Sequence, residues 1–214
     1  MNNLFFEELR SAFLKKDQNL IAEKISTLFQ EFNLNKYLDG KTFYHPLGFI
    51  YANLFQFENK ETIRMHIWNE NYYYIEPFMD IHNHYYIVNS FIYKGCINNN
   101  IYKVNPDLED NFSIFEGSYT DAGDRILKKT SMGINLSMEY TETHCEGRLY
   151  QIQRNTIHSG KPLDKRTTCT IVFTEKPMNP NPLVVGAING NCEYIYTNKP
   201  VDKELLTLIL CELK

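Results

Sequence analysis

The stretch DIHNHYYIVNSFIYKG, Asp80 to Gly95, decides how the chain is read. From Tyr85 to Tyr93, aromatic and β-branched residues crowd a short run that ends at a glycine, which is the texture of a strand and not of a helix. Just ahead of it, His82 and His84 bracket Asn83. Side chains two residues apart on extended chain project to the same side, so both imidazoles can converge on one ion. A pair of this kind says little without a third ligand from elsewhere.

The same texture runs outward in both directions. Strand-like runs fall near Gly48 to Phe57, Thr62 to Trp68, Tyr72 to Glu76 and Ile101 to Val104. Others fall near Phe112 to Tyr119, Ile134 to His144, Arg148 to Ile157, Thr167 to Phe173, Leu183 to Ile188 and Tyr194 to Tyr196. Turn signals at Asn98-Asn99-Asn100, Asp121-Ala122-Gly123 and Glu146-Gly147 punctuate them. Most of the 15 Tyr and 14 Phe lie in such runs. This pattern predicts a mainly β chain, a sandwich, jelly roll or barrel over residues 41–198.

Helices are expected only at the ends. Within 1–38, Leu4, Phe5, Leu9 and Phe13, then Leu20, Ile21, Ile25, Leu28, Phe29 and Phe32 recur at spacings of three and four. Two short amphipathic helices parted near Lys16 to Gln18 follow, and they should cap or flank the sheets. Asp202 opens a last helix, Lys203 to Glu212, within 202–213. With 214 residues, one domain spanning 1–214 is the expectation.

Composition narrows the function classes. The 22 Lys and Arg are scattered among 26 Asp and Glu for a net charge of −4, so there is no cationic stripe for nucleic acid. No apolar run approaches the roughly 18 residues of a membrane span, and the N-terminus lacks a signal-peptide pattern. A cytoplasmic protein with no membrane partner is expected. Cys96, Cys145, Cys169, Cys192 and Cys211 are odd in number, widely spaced and form no CxxC, which reads as reduced, buried bystander thiols.

The third ligand candidate lies in Gly147-Arg-Leu-Tyr-Gln-Ile-Gln-Arg-Asn-Thr-Ile-His158-Ser-Gly160. Taken with His82 and His84, this segment resembles the cupin superfamily, whose motifs read G(X)5HXH(X)3-4E(X)6G and G(X)5PXG(X)2H(X)3N. Gly95 closes the first motif at the expected distance, and Gly147 and His158 sit at the expected places in the second. The departures are Glu76 at the first glycine, Val88 at the glutamate that often provides a fourth ligand, Gln153 at the proline, Asn155 at the second glycine and Pro162 at the final asparagine. Asn155 is a mild change because asparagine tolerates left-handed backbone. The missing glutamate leaves either a three-histidine site or no functional site. The resemblance implies a cupin-type jelly roll, a metal held by His82, His84 and His158, and pairing through sheet edges as a homodimer.

The remaining histidines divide by position. If Glu146-Gly147 is a two-residue hairpin turn, His144 lies beside it while His158 lies some nine strand residues away, roughly 30 Å, so His144 is no co-ligand. His45 precedes a proline and reads as a loop or strand-edge residue. In Ile63-Arg64-Met65-His66-Ile67-Trp68, alternation puts Arg64, His66 and Trp68 on one face. Facing a cavity, Arg64 clamps a substrate carboxylate and His66 donates a hydrogen bond or acts as acid or base. Facing solvent, the same alternation means nothing more than a wetted strand. Tyr85, Tyr86, Tyr93 and Tyr150 are either pocket hydroxyls, Tyr86 and Tyr150 being the substrate-binding candidates, or packing residues. Asp80 and Asn83 are placed to orient the imidazoles.

Three neutral imidazoles without a carboxylate suit Fe(II), leaving positions for substrate and O2. Within the superfamily such a site resembles that of thiol dioxygenases, although Cys96 does not occupy the glutamate-equivalent position. A mononuclear non-haem iron oxygenase acting on a small polar metabolite is the first expectation. A non-redox isomerase, lyase or hydrolase using Zn, Mn or Ni on the same ligands is the second, and a metal-free ligand-binding module the third.

Overall fold

A computed structural model of the chain describes residues 3–70, 79–120, 124–177 and 182–214. Its helices are α1 (Asn3–Lys15), α2 (Gln18–Glu31), α3 (Leu34–Leu38) and α4 (Lys203–Glu212). Among the described residues there are thirteen strands: β1 (Thr42–His45), β2 (Phe49–Gln56), β3 (Thr62–Trp68), β4 (Val88–Lys94), β5 (Cys96–Val104), β6 (Phe112–Tyr119), β7 (Arg125–Ile134), β8 (Leu136–Cys145), β9 (Leu149–Ile152), β10 (His158–Pro162), β11 (Thr168–Thr174), β12 (Val184–Ala187) and β13 (Glu193–Tyr196). The class is the expected one, mainly β with helices at both ends. The expected strand over Tyr72 to Glu76 and the turn at 121–123 lie outside the described residues.

Helix ends are set by local chemistry. The chain leaves α1 through Lys16, whose φ is +55°, and the Asp17 carboxylate then accepts the Leu20 amide at 3.1 Å to cap α2. Asp202 caps α4 in the same way, accepting from Glu204 and Leu205.

All strand pairings are antiparallel. One sheet runs β1-β2-β3-β11-β4-β9, a second β10-β5-β8 and a third β12-β6-β7-β13. Period-two alternation gives the six-stranded sheet two different faces. Ile50, Ala52 and Leu54 of β2, Ile63, Met65 and Ile67 of β3, Cys169, Ile171 and Phe173 of β11 and Phe91 of β4 form one core with the apolar faces of all four helices. Each Leu, Ile, Met or Phe among them stabilises by about 1.5–3 kcal/mol when removed from water, which is what docks the helices there. The opposite face of the same strands is left for the site.

Two of the chain crossings between the sheets occur at glycines with positive φ, Gly95 (+78°) from β4 to β5 and Gly147 (+80°) from β8 to β9. The turn expected at Glu146-Gly147 is present, with the Arg148 amide donating to Cys145 O at 3.1 Å. Its flanking strands do not pair with each other, however, because β8 pairs with β5 and β9 with β4.

Several expectations need correction. The asparagines 98–100 are no turn: they lie inside β5, paired with both β10 and β8. The strand expected over Arg148 to Ile157 stops at Ile152, and the chain turns through Asn155, whose φ is +63°. Strand β7 went unread because Lys128, Lys129 and Thr130 break any apolar alternation where most of its side chains meet solvent. The thiol expectation also fails, since Cys96 and Cys145 face each other across β5 and β8 and form a disulfide. Their separation of 49 residues hides that register in the sequence. Cys169 alone of the free cysteines is buried; Cys192 and Cys211 are exposed. No helix among the described residues is long and apolar enough to cross a membrane.

Candidate metal centre

The face of the six-stranded sheet turned away from the helices borders a cavity of about 260 Å³, closed on its other side by β5, β10 and β12. Phe49 and Tyr51 of β2, Arg64, His66 and Trp68 of β3, and Thr170, Val172 and Thr174 of β11 line it. The volume suits a small metabolite.

His82, His84 and His158 meet in this cavity, their ligand atoms all within 4.8 Å of one another. The ring centroids stand 4.7 Å apart for His82 and His84, 4.6 Å for His82 and His158 and 5.0 Å for His84 and His158. Main-chain pairing produces the meeting. His82 and His158 form an isolated antiparallel bridge, exchanging N–H···O bonds of 3.0 and 2.9 Å, so their side chains leave the backbone as neighbours. The Asn155 amide donates to His84 O at 3.0 Å, which ties the left-handed turn before β10 to the other histidine segment. His82 therefore reaches the site from an isolated bridge and His84 from the irregular chain just after it; the regular strand begins only at Val88.

The donor set fits a metal. His82 Nδ1 lies 2.8 Å from Asp80 O and His158 Nδ1 3.1 Å from Thr156 O. A carbonyl oxygen only accepts, so each Nδ1 carries the proton and each Nε2 keeps its lone pair for an ion. Burial, opposed by the Asp80 carbonyl and reinforced by Arg125, pushes His82 down to about 4. Burial and then His82 push His158 down to about 3, and His84 lies well below the ordinary value for the same first reason. All three are neutral at pH 7, the state that ligates. The orienting groups are backbone carbonyls and not the side chains anticipated. The Asp80 carboxylate pairs with Lys161 at 2.8 Å, and the Asn83 side chain accepts the Leu183 amide at 2.7 Å.

Arg64 and His66 lie on the cavity side of β3, which decides between the two faces left open by alternation. The Arg64 Nε donates to Thr62 Oγ1 at 2.7 Å and Nη1 to the Tyr86 hydroxyl at 3.1 Å, and the guanidinium lies over the rings of Tyr86 (5.4 Å) and Tyr51 (5.8 Å). Among the described residues it has no carboxylate partner. Burial, then the Arg64 charge, pushes His66 down to about 3. Tyr85, Tyr86 and Tyr150 line the cavity, whereas Tyr93 stacks on Phe29 at 4.1 Å beneath α2. His144 is outside the cluster as expected, stacked on Tyr150 at 4.1 Å, although the separation argued from one long strand does not exist.

Three cavity residues escaped the sequence reading. His45 ends β1 and stacks on Phe49 at 4.3 Å, accepting the Leu47 amide on Nδ1, so five of the six histidines border one cavity. Arg125 enters from the start of β7; burial first, and then charges that include Arg125, lower the pKa of both His45 and His82. Asn99 lies on the inward side of β5 between Ile97 and Ile101, an alternation that was present in the sequence but was masked by the run of asparagines. Compared with known proteins, the chain matches no family model and none of the curated proteins.

Proposed function

We propose that this protein is a cupin-type mononuclear non-haem iron oxygenase acting on a small anionic metabolite. The observation that carries the reading is the convergence of three neutral imidazoles in a cavity that also holds a guanidinium with no carboxylate among the described residues. His82 and His158 would hold Fe(II) through Nε2, with the His84 imidazole as the third ligand. Bound there, the ion supplies open coordination positions and the electrons for O2 chemistry.

The chain's own groups do the rest. A guanidinium on a cavity wall with no carboxylate partner among the described residues is only partly compensated, and a substrate carboxylate completes it, so Arg64 binds and orients an anion. Thr62 and the Tyr86 hydroxyl hold the guanidinium at the cavity wall through Nε and Nη1. His66, held neutral, serves as a hydrogen-bond donor and not as a proton source at pH 7. Tyr150, whose hydroxyl is raised by burial, stays protonated and offers a second polar contact. Phe49 and Trp68 keep bulk water from one wall.

A non-redox enzyme is the second reading, because three histidines with an open position equally suit Zn(II), and Mn or Ni can occupy the same nitrogens. The experiment is O2 uptake by protein loaded anaerobically with Fe(II) and offered a panel of small hydroxy-, amino- and thiol-carboxylates. Uptake with at least one compound, lost in His158→Ala, supports the oxygenase. No uptake with any of them, together with substrate turnover by the Zn(II)-loaded form, moves the function to the second reading.

A further inference from the structure

Three consecutive asparagines in β5 are treated differently by the fold. Asn98 Oδ1 accepts from Thr143 Oγ1 at 2.7 Å, and Asn100 Oδ1 accepts from Thr141 Oγ1 at 2.7 Å while its amide donates to Ser159 Oγ at 3.3 Å. Asn99 between them points the other way, into the cavity, and is only 2% exposed. Among the described residues its side-chain carbonyl has no hydrogen-bond partner. A buried polar atom of this kind needs an explanation, because folding removed its water without replacing it.

The surroundings of Asn99 leave room for one. Its register partner on β10 is Gly160, where an added Cβ would meet only Ile97 Cγ2, at 3.9 Å. Two residues along the same pairing, Ile101 stands opposite His158. Asn99 thus borders a gap beside a candidate metal ligand, on the sheet that faces Arg64 across the cavity.

We propose that Asn99 is a specificity-determining residue whose side-chain carbonyl accepts a hydrogen bond from a hydroxyl or amino group of the ligand, so that the ligand is a small carboxylate carrying such a donor. This rests on the reading of Arg64 as the carboxylate clamp. The carboxylate is held from β3 and the donor from β5, and a ligand spanning the two is oriented across the three imidazoles. A carboxylate without the donor leaves Asn99 unpaired, a difference of about 5- to 150-fold in affinity.

The test measures dissociation constants for matched probes by ligand-observed NMR on the protein as purified. The probes are lactate, propionate and 2-methoxypropionate, in which methylation removes the donor. Wild type should bind lactate at least fivefold tighter than either of the others. Asn99→Leu should abolish that preference while changing propionate affinity less than twofold; because chelation by any bound metal survives in the variant, the lost preference belongs to Asn99. The comparison of lactate with 2-methoxypropionate needs no variant and decides the matter if Asn99→Leu does not fold. Equal affinity for these two, or a lactate preference unchanged in Asn99→Leu, overturns the proposal and leaves the carbonyl to a resident water. Arg64→Leu separates the two claims: if it leaves propionate binding unchanged, the clamp falls while the lactate ratio still reports on Asn99. No binding of any probe overturns both.

Discussion

Replacing Gly95 by alanine should be one of the costliest single-methyl changes in the molecule. At φ +78° an L-residue pays about 1–2 kcal/mol for the left-handed backbone. The new Cβ would also collide with Thr168 Oγ1 and stand 3.0 Å from both Thr167 O and Thr168 Cα. The hydroxyl can swing aside, but the other two are main-chain atoms at the start of the central strand β11, so overpacking adds about 1–3 kcal/mol. Gly147 supplies the control. Its φ is +80°, yet an added Cβ meets nothing within 4 Å, so Gly147→Ala should cost only the backbone component, about 1–2 kcal/mol. Urea unfolding reads both as shifts of midpoint at unchanged slope. Gly95→Ala should lose about 2–5 kcal/mol and clearly more than Gly147→Ala. Equal losses would refute the close approach of β11 to the β4–β5 crossing.

Other consequences are simpler to state. His66 is lowered in the fold, so its contribution to stability is complete above the unfolded value near 6.5 and is lost as pH falls from there towards about 3. His66→Phe should therefore reduce by one the protons taken up on unfolding across that window, as read from the pH dependence of unfolding free energy; an unchanged proton count would place His66 in water. Arg64→Leu should weaken carboxylate binding more than tenfold without lowering the melting temperature, because it removes a buried charge that has no carboxylate partner among the described residues. A large loss of stability would mean the guanidinium is a structural brace. Replacing Cys96 and Cys145 together by serine releases a loop of 49 residues, which the chain-entropy relation values at about 4 kcal/mol. A double variant as stable as wild type, with no response to reductant in either, would contradict the pairing.

Much of the fold was legible because the helices and the central sheet obey plain periodicities. The repeat of Leu20, Ile21, Ile25, Leu28 and Phe29 gave α2, and the alternation of Ile63, Met65 and Ile67 with Arg64, His66 and Trp68 gave β3 to the residue. Alternation could not say which side of β3 was wet, because both faces are covered, one by helices and one by the cavity walls. His82 and His84 were legible from spacing and His158 through the resemblance to the cupin motifs, although the physical reason for their meeting lies elsewhere: an isolated bridge joins His82 to His158, and the φ of +63° at Asn155 returns the chain to make it. Asn99 was lost to the ordinary association of asparagine with turns. The Cys96–Cys145 pair depends on register between strands far apart in sequence, which no local pattern encodes, and His45, opposite Phe49 in the β1–β2 hairpin, has no spacing that links it to the other histidines.

The central claim is that His82, His84 and His158 form a metal site. Elemental analysis of anaerobically purified, untagged protein, beside His82→Ala, tests it most directly. The account predicts about one iron per chain in wild type and its loss in the variant. Zinc, manganese or nickel at the same ratio, equally lost, would keep the site and change the chemistry. Metal absent from both proteins, or retained undiminished in His82→Ala, would contradict the account.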